Sequence, residues 1–452
     1  METLVTDNTD SLFGLDPDEQ HNLAEQFGSF SSAETQEGER RSTQAIPARF
    51  GVFAELPDYK QLQIQRVIGQ RMGILNPFFT CHETKAKGRT QIGGKEYLNF
   101  ATYDYLGLNG HPEINAAAVE AMERYGTSAG ASRLVAGERP PHAVLEKALA
   151  DFYECEDAVV FVSGHATNVS TLATILGPHD AVYHDALAHN SLILGASLSG
   201  AARYAYAHND CSALERLLRQ TRSKHERAVI VTEGLFSMDG SIAKLPELLE
   251  IKQEHTCFLM VDEAHSLGTL GASGRGVWEH FRVESSRVDI WMGTLSKTLC
   301  GCGGYIAGCS ELIDLLKFKA PGFVYSVGMS PSLAAASAKA LELLVREPGR
   351  TARIQEISAF FLREARKREL NTGYAEGCAT IPVIVGNSLV AGWLAAKLFE
   401  QRINVLPIIY PVVEEGLARL RFFLSSEHTE ADILTTLDAL STELPKAIKK
   451  FQ

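Results

Sequence analysis

From about residue 158 the chain alternates between two hydrophobic rhythms. Short, nearly continuous apolar runs recur: AVVFVSG (158–164), AVYHD (181–185), RYAYAH (203–208), AVIVTEG (228–234), CFLMVDEAH (257–265), DIWMGT (289–294) and GGYIAG (303–308). Between several of them lie segments with helical spacing, such as SALERLLRQ (212–220) and PELLEIKQ (246–253). Ahead of the first run, PHAVLEKALADFY (141–153) places Val144, Leu145, Ala148, Leu149 and Phe152 on one helical face. Apolar runs without alternation read as strands covered on both sides, and the intervening helices supply the crossovers of a parallel sheet. The pattern predicts an α/β fold with a large domain built on a seven-stranded, mostly parallel sheet.

The flanks differ. Residues 1–45 are polar and acidic with few apolar positions, which predicts a flexible leader, with one stretch (10–27) able to form a short amphipathic helix. Residues 46–95 form a helical and hairpin segment, with Leu62, Ile64, Val67 and Ile68 as a partial stripe. Residues 96–330 carry the strand rhythm. After it comes a long helical stretch (331–347), then a lone strand ARLRFFL (418–424) and a last helix opened by Thr429 and Asp432, so 331–452 reads as a smaller C-terminal α+β domain.

Composition narrows the function. A chain of 452 residues exceeds what one core fills, since single cores stop growing at about 250–300 residues. A net charge of -12 argues against nucleic acid, whose phosphates need clustered Lys and Arg. The acidic start lacks the basic, apolar layout of a signal peptide, and no apolar run approaches the ~20 residues of a membrane span, so the expected location is cytoplasmic. Eight cysteines are scattered without zinc spacing; they read as small buried hydrophobes, and no metal site is expected.

In parallel sheets, ligands bind beyond the carboxyl ends of the strands. That rule gathers Ser163, Gly164 and His165 after the first run, His184, Asp185 and His189 after the second, Ser237 after the fourth, Asp262 and His265 after the fifth, and Thr294, Ser296 and Lys297 after the sixth. A lysine at a strand end among hydroxyls and glycines suits Schiff-base chemistry once burial lowers its pKa. A buried Asp262 needs a compensating cation, and a protonated pyridine nitrogen is one. The Ser163–His165 turn offers helix N–H groups to a phosphate. The Asp-Glu-Ala-His run also fits a nucleotide-driven motor, but no GxxxxGK[ST] loop exists, and GGKEY (93–97) lacks the hydroxyl after Lys95. A metal reading lacks an HExxH helix, and a dinucleotide reading of GCGGYIAG fails because a strand follows those glycines.

Eight segments in this order resemble one family: YLNFATYDYLGLNGHP, GTSAGASRLVAGERPPHAVLEKALADFY, VFVSGHATNVSTLATI, YHDALAHNSLILGA, VTEGLFSMDGSIAKL, VDEAHSLGTLGASGRG, GTLSKTLCGCGGYIAG and LARLRFFLSSEHT. They are similar to the α-oxoamine synthases, fold-type I pyridoxal 5'-phosphate (PLP) enzymes that include 8-amino-7-oxononanoate synthase and serine palmitoyltransferase. The resemblance implies that Lys297 carries PLP and moves the Cα proton, that Asp262 pairs with the ring nitrogen, and that His265 meets the phenolic oxygen with Ser237 nearby. It implies that His189 stacks on the ring, that Gly164, His165 and Thr294 hold the phosphate, and that Ser326 completes the cradle from the second subunit of a homodimer; Ser163 and Ser296 join that cradle on their own positions at the strand ends. Arg421 matches the clamp for the amino-acid carboxylate, with Arg419 as runner-up on the same strand face. The implied reaction is a decarboxylative Claisen condensation of an amino acid with an acyl thioester, in which His189 or His265 assists the thioester carbonyl. Aminotransferase, amino-acid decarboxylase and non-catalytic scaffold are the alternatives.

Three departures bear on specificity. Tyr103 stands where many members carry Asn, as in serine palmitoyltransferases; Pro321-Gly322 replaces the usual Arg-Pro; and GSIAKL replaces GDIAPL. The thioester carrier is coenzyme A or acyl carrier protein, with Lys317 and Lys319 as candidate contacts, and the atypical motifs favour a carrier-bound acyl chain in secondary metabolism.

Overall fold

The computed structural model describes residues 47–451 apart from Gly73 and Leu75; the leader 1–45 and its 10–27 stretch lie outside the described residues. The chain divides into two compact units. The smaller holds the described residues before Cys81, Ile384–Leu420 and the chain from Asp438. Its first long helix, α1 (Pro57–Arg71), starts on a proline and buries Ile64 and Ile68 against Met72 and Leu389, half of the stripe expected there.

The larger unit spans Cys81–Val383 and Arg421–Leu437. It opens with an antiparallel hairpin, β1 (Arg89–Ile92) and β2 (Lys95–Asn99). The turn is Gly93-Gly94 with φ of 55° and 69°, backbone that favours glycine, so GGKEY is hairpin chemistry and not a phosphate loop. Helices α2 (Pro112–Tyr125) and α3 (Pro140–Tyr153) follow. The alternation then runs β3 (Asp157–Phe161), α4 (Gly164–Ile175), β4 (Ala181–Asp185), α5 (Asn190–Ser199), β5 (Ala202–Tyr206), α6 (Cys211–Thr221), β6 (Ala228–Glu233), α7 (Leu245–Glu254), β7 (Phe258–Asp262), α8 (Val277–Phe281), β8 (Ile290–Thr294) and β9 (Gly304–Gly308).

These seven strands, β3 to β9, form one sheet in the order β3-β9-β8-β7-β6-β4-β5. All neighbours are parallel except β9, which runs antiparallel to both β3 and β8. The central strands are buried along their length; every residue of β6 is. One face packs Val159, Val182, Val231 and Met260 against Leu172 of α4 and Leu192 of α5. With both faces covered, the sheet leaves its carboxyl edge for polar groups. There Glu233 of β6 pairs in register with Asp262 of β7, and Asp262 with Met292 of β8.

Beyond the sheet come α9 (Ser310–Lys319), α10 (Pro321–Val324), α11 (Pro331–Arg346) and α12 (Gly349–Lys367). The helix expected to open a C-terminal domain, α11, packs on α2 and α3 within the sheet-bearing unit. β10 (Thr380–Gly386) and β11 (Ala418–Phe423) pair and each runs from one unit into the other, with α13 (Ser388–Glu400) between them in sequence. The last helix, α14 (Glu430–Phe451), starts with the capping pair read from the sequence: Asp432 N donates to Thr429 Oγ1 at 3.1 Å and Thr429 N to Asp432 Oδ2 at 2.9 Å. All eight cysteines are free, but only Cys257 and Cys378 are buried, so the reading of them as core hydrophobes holds for two. No helix among the described residues is long and apolar enough to cross a membrane.

Candidate active site

Asp262 closes β7 with 4% exposure and makes no ion pair among the described residues. Its Oδ1 accepts from Ala264 N at 2.9 Å and its Oδ2 from Asn168 Nδ2 at 2.9 Å. Asn168 projects from α4 and also reaches Ser191 Oγ at 2.9 Å, which in turn meets His189 Nδ1 at 2.7 Å. A single line of hydrogen bonds therefore joins the carboxylate to the histidine that caps α5. Beside Asp262, buried Glu233 accepts from Ser237 N at 3.1 Å; burial first and the Asp262 charge second push its carboxyl well above the usual range.

Lys297 follows β8, with Nζ 2.9 Å from His265 Nε2. Burial lowers the lysine to about 8; the acids Asp262 and Glu233 oppose that shift and Arg421 adds to it. His265 is itself buried, and burial and then the Lys297 charge hold it well below the ordinary imidazole value. A neutral ring that accepts from Lys297 at Nε2 donates from Nδ1 to the Tyr105 hydroxyl, 2.6 Å away. His189 is also lowered, by desolvation and the Lys297, His165 and Arg421 charges, against the pull of Asp262.

The start of α4 meets the end of β8. Ser163 caps the helix, its side chain accepting from Ala166 N at 3.4 Å. A Cβ on Gly164 would lie 2.9 Å from Thr294 Oγ1, so only glycine lets the helix terminus approach that hydroxyl so closely. Thr294 Oγ1 donates to Gly303 O at 2.9 Å, and Ser296 Oγ accepts from Gly303 N at 3.2 Å. His165 is exposed at the same terminus.

Arg421 donates Nη1 to Ser237 O at 3.2 Å and lies 4.4 Å over the Phe423 ring. It also contacts Met238 Sδ at 2.9 Å. Tyr103 packs edge-on against Phe423 at 4.8 Å, with Lys297 Nζ 5.4 Å from its ring centre. Tyr103, Asp104, Ser296, Lys297 and Cys300 border a cavity of about 290 Å3. Arg419 instead turns to Leu417 O at 3.1 Å. Ser326 sits half-buried after α10 and takes no part in these hydrogen bonds. Lys317, a candidate carrier contact, pairs with Asp157 at 3.0 Å.

Asn168, Ser191, Tyr105 and Glu233 were not singled out from the sequence. Glu233 had a signal: it ends its strand as Asp262 does. Tyr105 lies within the quoted TYDYLG, but nothing in its spacing ties it to His265.

These groups fit PLP on their own geometry. A buried carboxylate with no salt-bridge partner among the described residues suits a ring nitrogen, the close Gly164–Thr294 approach brings the N–H groups of a helix start to the end of β8 for a phosphate, and the desolvated Lys297 amine follows the same strand. The sequence matches the family model described as aminotransferase class I and II over residues 95–440. It is 40% identical over 355 residues to 8-amino-7-oxononanoate synthase of Geobacter sulfurreducens, covering 78% of this chain and 90% of that protein. The enzyme of the same name from Symbiobacterium thermophilum is 39% identical over 359 residues, covering 79% and 91%. Serine palmitoyltransferase of Sphingomonas wittichii superimposes with a TM-score of 0.82 at 26% identity, covering 86% of this chain and 98% of that one. The S. paucimobilis serine palmitoyltransferase, solved with bound PLP–myriocin, matches equally, with a TM-score of 0.82, 26% identity and coverage of 86% and 98%. The chain belongs to the aminotransferase class I and II family and, within it, to the α-oxoamine synthases.

Proposed function

We propose that this chain condenses an amino acid with an acyl thioester in the cytoplasm, releasing CO2 and free thiol and leaving an α-amino ketone, with PLP as its cofactor. The observation that carries the reading is the 2.9 Å pairing of Lys297 with neutral His265 near a buried Asp262 that has no salt-bridge partner among the described residues. When bound, PLP supplies an electron sink that acidifies the Cα–H bond of the amino acid.

Lys297 holds the cofactor and, with its amine lowered to about 8, serves as the base at Cα near neutral pH. Asp262, fixed by Asn168 and the Ala264 amide, pairs with the ring nitrogen. His189 covers one ring face, while His265 and Ser237 border the phenolic oxygen. Ser163, Gly164, His165, Thr294 and Ser296 surround the phosphate, and Ser326 from a second copy of the chain completes the cradle in a homodimer. Arg421 takes the amino-acid carboxylate in a two-pronged pair, and Tyr103 borders the amino acid. His189 or His265 donates to the thioester oxygen as charge develops there.

The test is product analysis with holoenzyme, an amino-acid panel and acyl thioesters on coenzyme A or acyl carrier protein. Thiol and CO2 released in equal amounts are expected. An oxo acid without CO2 would assign an aminotransferase instead, and CO2 without thiol a decarboxylase.

A further inference from the structure

Ser241, in the atypical GSIAKL run, lies in a network the reaction above does not use. Asp185, 1% exposed at the end of β4, is saturated: Oδ1 accepts from Leu187 N at 2.8 Å and Oδ2 from Asn209 N at 2.8 Å, with His208 Nδ1 3.0 and 3.1 Å from the two oxygens. On the far side of the imidazole, His208 Nε2 meets Ser241 Oγ at 2.8 Å.

An acid, an imidazole and a hydroxyl in line have the layout of a hydrolytic triad. Ser241 is 2% exposed, so its hydroxyl is closed to any substrate, and the line must act on what it holds.

It holds two loops. The Asp185 side chain takes Leu187 N and its carbonyl takes Ala188 N at 3.1 Å, shaping the turn that delivers His189. Ser241 belongs to the tight loop between Leu235 and Ile242, whose ends bridge; Phe236 N donates to Ser241 O at 2.9 Å and Gly240 N to Phe236 O at 2.9 Å. That loop presents the Ser237 carbonyl and the Met238 sulfur that hold Arg421. His208, packed edge-on against Phe236 at 4.5 Å, is the tie between the two.

We propose that Asp185, His208 and Ser241 form a positioning relay that holds the His189 turn and the 235–242 loop that grips Arg421 in one fixed arrangement, so that recognition of the amino acid depends on a hydroxyl outside the site. The proposal rests on the reading of Arg421 as the carboxylate clamp.

Ser241→Ala, Ser241→Thr and His208→Gln test it. In cofactor-free protein, backbone amide exchange is measured over residues 186–189 and 235–242; in holoenzyme, KM and kcat are measured for each substrate. Ser241→Ala is expected to speed exchange in both segments. It should raise the amino-acid KM roughly 5- to 20-fold, within the range of coupling through packed networks, with the thioester KM nearly unchanged and no fall in Tm. Ser241→Thr, which keeps the hydroxyl, should restore both, and His208→Gln should act as Ser241→Ala does. Faster exchange confined to 235–242 would overturn the relay, as would KM and kcat worsening together with a fall in Tm. Arg421→Ala separates the two readings. An unchanged amino-acid KM there counts against the clamp itself, whereas a raised one beside an inert Ser241→Ala counts against the relay alone.

Discussion

Three kinds of neighbour set the chemistry of Lys297. Burial lowers its amine, Asp262 and Glu233 raise it, Arg421 lowers it again, and the balance is about 8. The rate at which apoenzyme captures PLP should therefore climb about tenfold per pH unit below 8 and level off above it, since only the free amine attacks. Stopped-flow absorbance checks this; a rate still climbing through pH 10 would mean an unperturbed lysine. Asn168 makes a different contribution. Its amide orients Asp262 and also links it to Ser191 and His189. Asn168→Ala removes a hydrogen bond to a charged group, worth about 1.5–3 kcal/mol, so PLP affinity should fall roughly 10- to 100-fold by equilibrium titration. An unchanged Kd would show that Asp262 is held without it. Asp262, His265 and Lys297 were legible because polar residues that interrupt a buried strand stand out in one dimension. Asn168 was not, because a polar residue on a helix announces neither which face it occupies nor what it meets across a sheet.

Glu263 shows how a whole element can depend on one proton. It is fully buried, accepts from Val277 N at 2.9 Å at the start of α8, and desolvation raises its carboxyl to about 8. The folded chain thus keeps this proton until about pH 8, while the unfolded chain releases it near the model-peptide value of 4.5. Its contribution to stability is full below that lower value and is lost as pH rises through 8. Glu263→Gln, which mimics the protonated acid, should match the parent near pH 4.5 and melt about 2–5 °C higher at pH 8.5. Parallel melting curves at both pH values would remove the acid from the account. At this scale the sequence was most readable: six of the seven sheet strands coincide with nearly continuous apolar runs because they are covered on both faces, while the edge strand β5, alternately exposed, shows as the mixed run RYAYAH. What it left unspecified was which strand reverses. The signal was the short, helix-free link from Thr294 to Gly304, too brief for the dozen or more residues a parallel crossover needs, so β9 had to turn back beside β8.

For the whole molecule, the placing of Ser326 makes a test of assembly. If a second copy supplies it, co-expressed Lys297→Ala and Ser326→Ala chains form hybrids with one intact site. About a quarter of parental sites should then survive, although each variant alone is inactive or weakened. No recovery would put Ser326 in its own chain's site or outside the site altogether. Lys297 and Arg421 stand far apart in sequence, and the arginine is the first residue of the chain's return into the sheet-bearing unit. On the ribosome, at about 5–20 residues per second, several seconds separate their emergence. On the role proposed for Arg421, a nascent chain thus holds the lysine well before the arginine, and its amino-acid site is complete only once this last return into the sheet-bearing unit has emerged.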